Sequence, residues 1–181
     1  MKVPVRSRYL FLIIIFLVII LGSLYYLYDD LGGFDEIKVY ELDGMESVII
    51  GKEYIGKQTG SEIEEYFSSA RAMVSENKLD GNLAVINYKN DTLPDNMVHM
   101  YIGVQLKTDM AEIPSDFEVR KLRSDRRLGV FLSMHPVVRP SPSRVTARLE
   151  DKAQEKGLKL QNFILELHYP DNSMAVEAWA E

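Results

Sequence analysis

A chain of 181 residues, 46% hydrophobic and carrying a formal net charge of −6, has room for one well-packed domain. Its acidic balance argues against nucleic acid as a partner, because phosphate binding needs a net basic face. Having no cysteine, it can form no disulfide and do no thiolate chemistry, which suits either side of a membrane.

The first element is the stretch "YLFLIIIFLVIILGSLYYLY", residues 9–28. It is about 20 residues without a charge, enough to cross a hydrocarbon core of about 30 Å as a helix. Lys2, Arg6 and Arg8 precede it, so a cleaved signal peptide is the competing reading. The run is longer than a usual signal core, and its only small pair, Gly22-Ser23, sits inside it. Tyr25, Tyr26 and Tyr28 fit the interfacial belt of a membrane helix, and an uncleaved anchor is favoured. Asp29, Asp30, Asp35 and Glu36 follow the span, so the positive-inside bias keeps residues 1–8 in the cytoplasm. The expectation is a single-pass membrane protein with its soluble domain extracytoplasmic. Without the three leading bases the chain has 18 basic residues against 27 acidic ones, which gives no reason to dock on anionic lipid.

"DDLGGFDE", residues 29–36, reads as a short flexible linker. The domain then runs over residues 37–181. "IKVYEL" and "ESVIIGKEYIG" have the β-branched content of strands, with "DGM" a turn or bulge between them. In "TGSEIEEYFSSARAMVSENK", Ile63, Tyr66, Phe67, Ala70, Met73 and Val74 recur at helical spacing, and Ser61 with Glu64 suits a capping box. "NLAVINY" and "MVHMYIGVQL" are strands separated by the polar turn "KNDTLPDN", and "KTDMAEIPSD" is a loop. "FEVRKL" and "RLGVFLSMHP" look like a strand pair joined at Ser124-Asp125.

After the proline-broken "HPVVRPSPSR", a second helix starts at Ser141-Pro142 or Ser143 and stops at Gly157. Its apolar stripe is thin: Val145, Leu149 and Ala153. "LKLQNFILELHY" and "MAVEAWAE" close the chain as two strands around the turn "PDNS". This order predicts an α+β fold built from duplicated strand-helix-strand-strand halves. Its antiparallel sheet carries two helices on one face and leaves the other open, with the N-terminal transmembrane helix in addition.

The soluble part resembles the GyrI-like effector-binding domains, the small-molecule modules of multidrug-sensing bacterial regulators. "VYELDGMESVIIGKEYIG" is similar to that family's first strand pair, and "AVINYKNDTLPDNMVHMYIGV" to its strand, turn and following strand. "IPSDFEV" resembles the lead into the second half, and "LELHYPDN" its strand reading Glu-x-Tyr before an Asp-containing turn. An anchor ahead of such a domain also resembles the testis-expressed receptors for endoplasmic-reticulum autophagy in animals. Their domain faces the cytosol, against the charge-based orientation. Two departures stand out: the family's Tyr is His168 here, and its Gly-Pro-Tyr-like element is replaced by "HPVVRPSPS".

Strand periodicity sets Ile164, Glu166 and His168 on one face and Phe163, Leu165, Leu167 and Tyr169 on the other. The second set is the better core, so the expectation packs it on the helices and leaves Glu166 on the open face. A Glu in a strand is also commonly solvent-exposed or paired across the sheet, and Arg120 or Arg127 would serve. The resemblance favours a ligand-facing role instead. It implies an aromatic groove around Glu166, with His168, Trp179, Tyr101, Tyr88, Tyr54 and Phe131 as candidate ligand-binding residues and His99 on Tyr101's side of its strand. It also implies a planar or cationic small-molecule ligand. No cofactor is expected, and without a third partner in sequence reach of Glu166 and His168 no metal site is expected either. Two alternatives stay open: hydrolysis of a reactive electrophile by the same Glu, and an anchored adaptor that grips a protein partner.

Overall fold

The computed structural model describes residues 5–90, 92–107 and 113–181, with side chains from Tyr9 onward. Half of the expected loop at residues 107–116 therefore lies outside the described residues, as does the start of the expected cytoplasmic N-terminus.

Two compact units divide the chain. The first holds helix α1 (Val5–Asp30), of which Tyr9–Asp30 is long and apolar enough to cross a membrane and has none of its surface buried. Just past its end, Gly33 N donates to Tyr28 O at 2.8 Å. There the Phe34 ring packs against Tyr25 and Tyr28, with centroids 5.1 and 4.9 Å away. Met134–Arg139 belongs to this unit too, with His135 N donating to Leu31 O at 3.1 Å.

The second unit runs β1 (Val39–Lys57), α2 (Ser61–Ser75), β2 (Gly81–Tyr88), β3 (Met97–Leu106), β4 (Glu118–Leu132), α3 (Pro142–Glu155), β5 (Leu160–His168) and β6 (Met174–Ala180). This is the expected α+β order of two strand-helix-strand-strand halves. All six strands pair antiparallel in the order β1-β3-β2-β5-β6-β4, and β4 returns to β1 to close a barrel. A closed barrel leaves no bare strand edge to recruit another chain.

Closure corrects two expectations. The four strand segments expected around "DGM" and around Ser124-Asp125 are two long strands, β1 and β4, paired from Val39↔Val130 to Gly51↔Glu118. Gly44 permits this, because a Cβ there would lie 2.7 Å from Ser124 O and 2.8 Å from the Asp125 Cα. The sequence marks a break where the chain needs a close crossing.

The second correction concerns the faces. Phe163, Leu165 and Leu167 do not meet the helices; they pack inside the barrel with Ile49, Ala84, Ile86, Tyr101 and Trp179. The most apolar face of the sheet is buried against itself, which no single strand's pattern announces. Helix α2 covers the outer face through Ala70, Ile63, Tyr66, Phe67 and Met73, packed on Ile50, Leu83, Val85, Ile102 and Val104. The buried stripe of α3 is Val145, Leu149 and Ala153, as the sequence suggests. Its start is capped by the Ser141 hydroxyl, which accepts from Arg144 N. The capping box expected for α2 does not form: Gly60 holds the cap position, without a side-chain bond.

Tyr101 shows how dry the barrel interior is. It is fully buried, its hydroxyl donates to Glu118 O at 2.5 Å, and burial pushes its phenol up to about 12, opposed only in part by a Gly51 backbone hydrogen bond. The folded protein therefore keeps this proton in a pH window where the unfolded chain, with a phenol near 10, has lost it. The stabilisation is full below pH 10 and is lost as pH rises toward 12, by about 2 kcal/mol. Urea denaturation of the full chain in detergent at pH 9 and at pH 11.5 should show that loss, and Tyr101→Phe should reduce it.

Candidate functional site

Glu166 stands mid-strand in β5, opposite Val85 of β2 and Val176 of β6. It lies on the outer face, beneath the helices, and beside it opens a groove of about 400 Å³. That volume is in the range of about 300–1,000 Å³ that holds drug-sized ligands. The walls are Ile63 from the first turn of α2, Pro142 and Thr146 from the start of α3, Val98 and Met100 from β3, and Ile164 from β5. Gln58, Asn87, Tyr88 and Lys89 complete it. Helix starts present partial positive charge, which offsets part of the cost of keeping a carboxylate in a mostly apolar hollow.

The bonding of Glu166 is lopsided. Asn87 Nδ2 donates to its Oε1 at 2.9 Å. Among the described residues, its Oε2 has only His168 Nε2 nearby, at 3.7 Å, beyond hydrogen-bond range. Among the described residues that imidazole nitrogen is itself buried without a hydrogen-bond partner, and its ring stands edge-on to Phe67.

Neither arginine named as a structural partner reaches Glu166. Arg120 bonds Glu53 at 3.2 Å and Arg127 bonds Glu177 at 2.7 Å. Lys89 borders the groove, but its ammonium is bonded to Glu150 at 2.5 Å. Among the described residues, no lysine or arginine neutralises Glu166. Glu166 lines the cavity with its side chain only 20% exposed, and a carboxylate oxygen outside any hydrogen bond there is a strong acceptor.

The sequence-derived candidates separate by face. Tyr88 borders the groove from the end of β2, its ring against His99 at 4.4 Å and Phe163 at 6.4 Å. Tyr54 is buried under α2, edge-on to Tyr66, with its hydroxyl on Lys57 O. Trp179 and Tyr101 lie inside the barrel, and Phe131, on the barrel-side face of β4, is 54% exposed and packs near Tyr169 at 6.1 Å. His99 follows Tyr101 to the inner side, where its Nε2 lies 2.8 Å from Glu53. The structure thus keeps Glu166 and His168 side by side on the outer face, while Tyr88 borders the groove with its ring packed on the inner side against His99 and Phe163, the side that also holds Trp179, Tyr101 and Phe131.

Sequence reasoning missed Asn87, which holds the carboxylate, and the Met100, Ile63 and Thr146 walls. A signal for Asn87 existed: it is a lone amide at the end of the apolar run "LAVI". Nothing in the local pattern of Thr146 marks it, because its place depends on where α3 crosses the sheet.

No protein-family model and no curated protein sequence matches this chain. Solved structures do share its fold. An uncharacterised conserved protein from Listeria innocua superposes with a TM-score of 0.57 at 10% identity, over 81% of this chain and 93% of that one. A hydrolase from Listeria innocua gives 0.54 at 10% identity, over 85% and 98%. The C-terminal domain of EcmrR gives 0.54 at 12% identity, over 81% of this chain and 97% of that domain. At such identities the likeness is one of fold, and it spans nearly the whole of each neighbour.

Proposed function

We propose that this chain is a membrane-anchored small-molecule binding protein of the GyrI-like effector-binding kind. Residues 9–28 form the anchor, residues 29–36 the linker and residues 37–181 the binding domain. One observation carries the reading: a carboxylate with one oxygen unclaimed, on the floor of a groove with apolar walls. A desolvated, unneutralised carboxylate favours a ligand that brings a positive charge or a strong donor. The apolar walls favour a planar or lipophilic body. The domain shares its fold with the C-terminal domain of EcmrR. The anchor is supported by α1, and the extracytoplasmic side by the charge asymmetry around it.

The test is binding of ethidium, a planar aromatic cation, followed by its own fluorescence with the full chain in detergent. Trp179 is a poor reporter, because it lies on the other side of the sheet. Glu166→Gln keeps the shape and the Asn87 contact but loses the charge, and should weaken binding about 10- to 100-fold, the worth of a charge-assisted hydrogen bond. Equal affinity in the two proteins would sink the assignment of Glu166, and no binding across a broad panel of organic cations would sink the reading.

Catalysis is the second reading, favoured by the unpartnered His168 Nε2 beside Glu166. A carboxylate base and an imidazole on one face can activate water and protonate a leaving group. Turnover of an epoxide, lost in Glu166→Gln, is its expected sign.

A further inference from the structure

The Met134–Arg139 segment forms a compact tip that sequence periodicity leaves unassigned. Pro136–Val138 makes one 3₁₀ turn, closed by Val138 N donating to His135 O at 3.0 Å and by Val137 N donating to His135 Nδ1 at 3.3 Å. This braced turn presents Val137 outward at 80% exposure, the highest among the described large hydrophobic residues. Isolated surface valines are ordinary. This one stands at a particular place, because His135 N is bonded to the carbonyl of Leu31, the residue that follows α1.

The position can be put on the scale of a bilayer. The apolar part of α1, Tyr9–Asp30, has 22 residues. At about 1.5 Å per residue that is about 33 Å, close to a hydrocarbon thickness of about 30 Å. If α1 spans a membrane, Leu31 lies at the interface, and a backbone hydrogen bond holds the Pro136–Val138 turn beside it. The same level carries Tyr25, Tyr28 and the Phe34 ring packed on them, with Phe34 itself 53% exposed. Amphipathic rings gather at this depth of a bilayer. Met134 is buried in the same unit, against Gly32, so the turn is fixed to the end of the helix rather than hanging beside it.

We propose that the Pro136–Val138 turn is a membrane-interface peg: Val137 inserts among the lipid headgroups beside the end of α1, giving the chain a second contact with the bilayer, about 100 residues after the first. The inference rests on the anchor reading and is independent of the ligand site. Its occupant is the lipid surface, because the turn is hydrogen-bonded to the end of a membrane-length helix.

The absence of cysteine makes the test direct. Val137→Cys, labelled with an environment-sensitive nitrobenzoxadiazole dye, is compared with a Phe16→Cys label in the middle of α1, both in full-length chain in phosphatidylcholine nanodiscs. The Val137 label should be quenched at least two-fold by a lipid nitroxide placed near the headgroups and resist aqueous iodide. A Phe16 label quenched by lipid with a Val137 label quenched only by iodide overturns the peg and leaves the anchor standing. A Phe16 label that iodide reaches removes both.

Discussion

Glu177→Ala is expected to destabilise the folded domain by about 3–5 kcal/mol, the range for breaking one side of a buried ion pair. The Glu177 side chain is 7% exposed and that of Arg127 12%. One carboxylate oxygen accepts from the Arg127 guanidinium at 2.7 Å and from the Trp179 indole N–H at 2.9 Å. The guanidinium also lies over the Trp179 ring at 5.4 Å and donates to Asp43 O. Removing the carboxylate leaves a buried cation and a buried N–H without their acceptor, and both costs fall on the folded state. Urea denaturation in detergent, read by Trp179 fluorescence, measures the loss directly. Replacing both partners, Arg127→Met with Glu177→Leu, should recover much of it, since an apolar pair of similar volume leaves nothing unsatisfied. A loss below about 1 kcal/mol for the single change would mean that water reaches the pair, contrary to its burial.

The contrast with Glu166 bears on what a sequence can tell. Both residues are glutamates inside short apolar strands, "LELHY" and "VEAWAE". Only three-dimensional register decides that Arg127 falls opposite Trp179, two residues from Glu177, while Glu166 falls opposite Val85 and Val176. One carboxylate becomes a neutralised part of the core and the other keeps a free oxygen. A composition count treats them alike.

Much of the fold was legible because it is local. The α2 stripe, the start of α3 at Ser141-Pro142 and the turn in which Asp171 accepts from Ser173 follow from spacing and turn chemistry. The duplicated order was visible for the same reason. Barrel closure was not, since it depends on β1 meeting β4 over a sequence separation that no window spans. That one unseen pairing inverted the faces: Leu165 and Leu167 went inside, and Glu166 went under the helices. Trp179 and Tyr101, expected as walls around Glu166, belong to the opposite side of the sheet. The resemblance suggested the carboxylate, and geometry supplied its real neighbours, Asn87 and Met100.

Gly103→Ala should cost about 3 kcal/mol, although it adds a single methyl group to a strand. Gly103 of β3 lies directly opposite Gly51 of β1, and Gly51 in turn pairs with Glu118 of β4, so three strands meet at this point. A Cβ on Gly103 would lie 2.2 Å from Ile50 O and 2.6 Å from the Gly51 Cα; one on Gly51 would lie 2.3 Å from Ile102 O. All of these are backbone atoms, which cannot rotate away as a side chain does, so the strands themselves must part. Parting them strains the ladder beside Tyr101, whose ring is buried in the barrel and whose hydroxyl reaches Glu118 O across β1. The double variant Gly51→Ala with Gly103→Ala should cost less than the two single costs added together, because strands already parted by one methyl have room for the next. Denaturation midpoints of the four proteins in one detergent decide the matter. A Gly103→Ala midpoint equal to wild type would show that the crossing is looser than these distances require, and strict additivity would show that the two glycines answer to separate constraints.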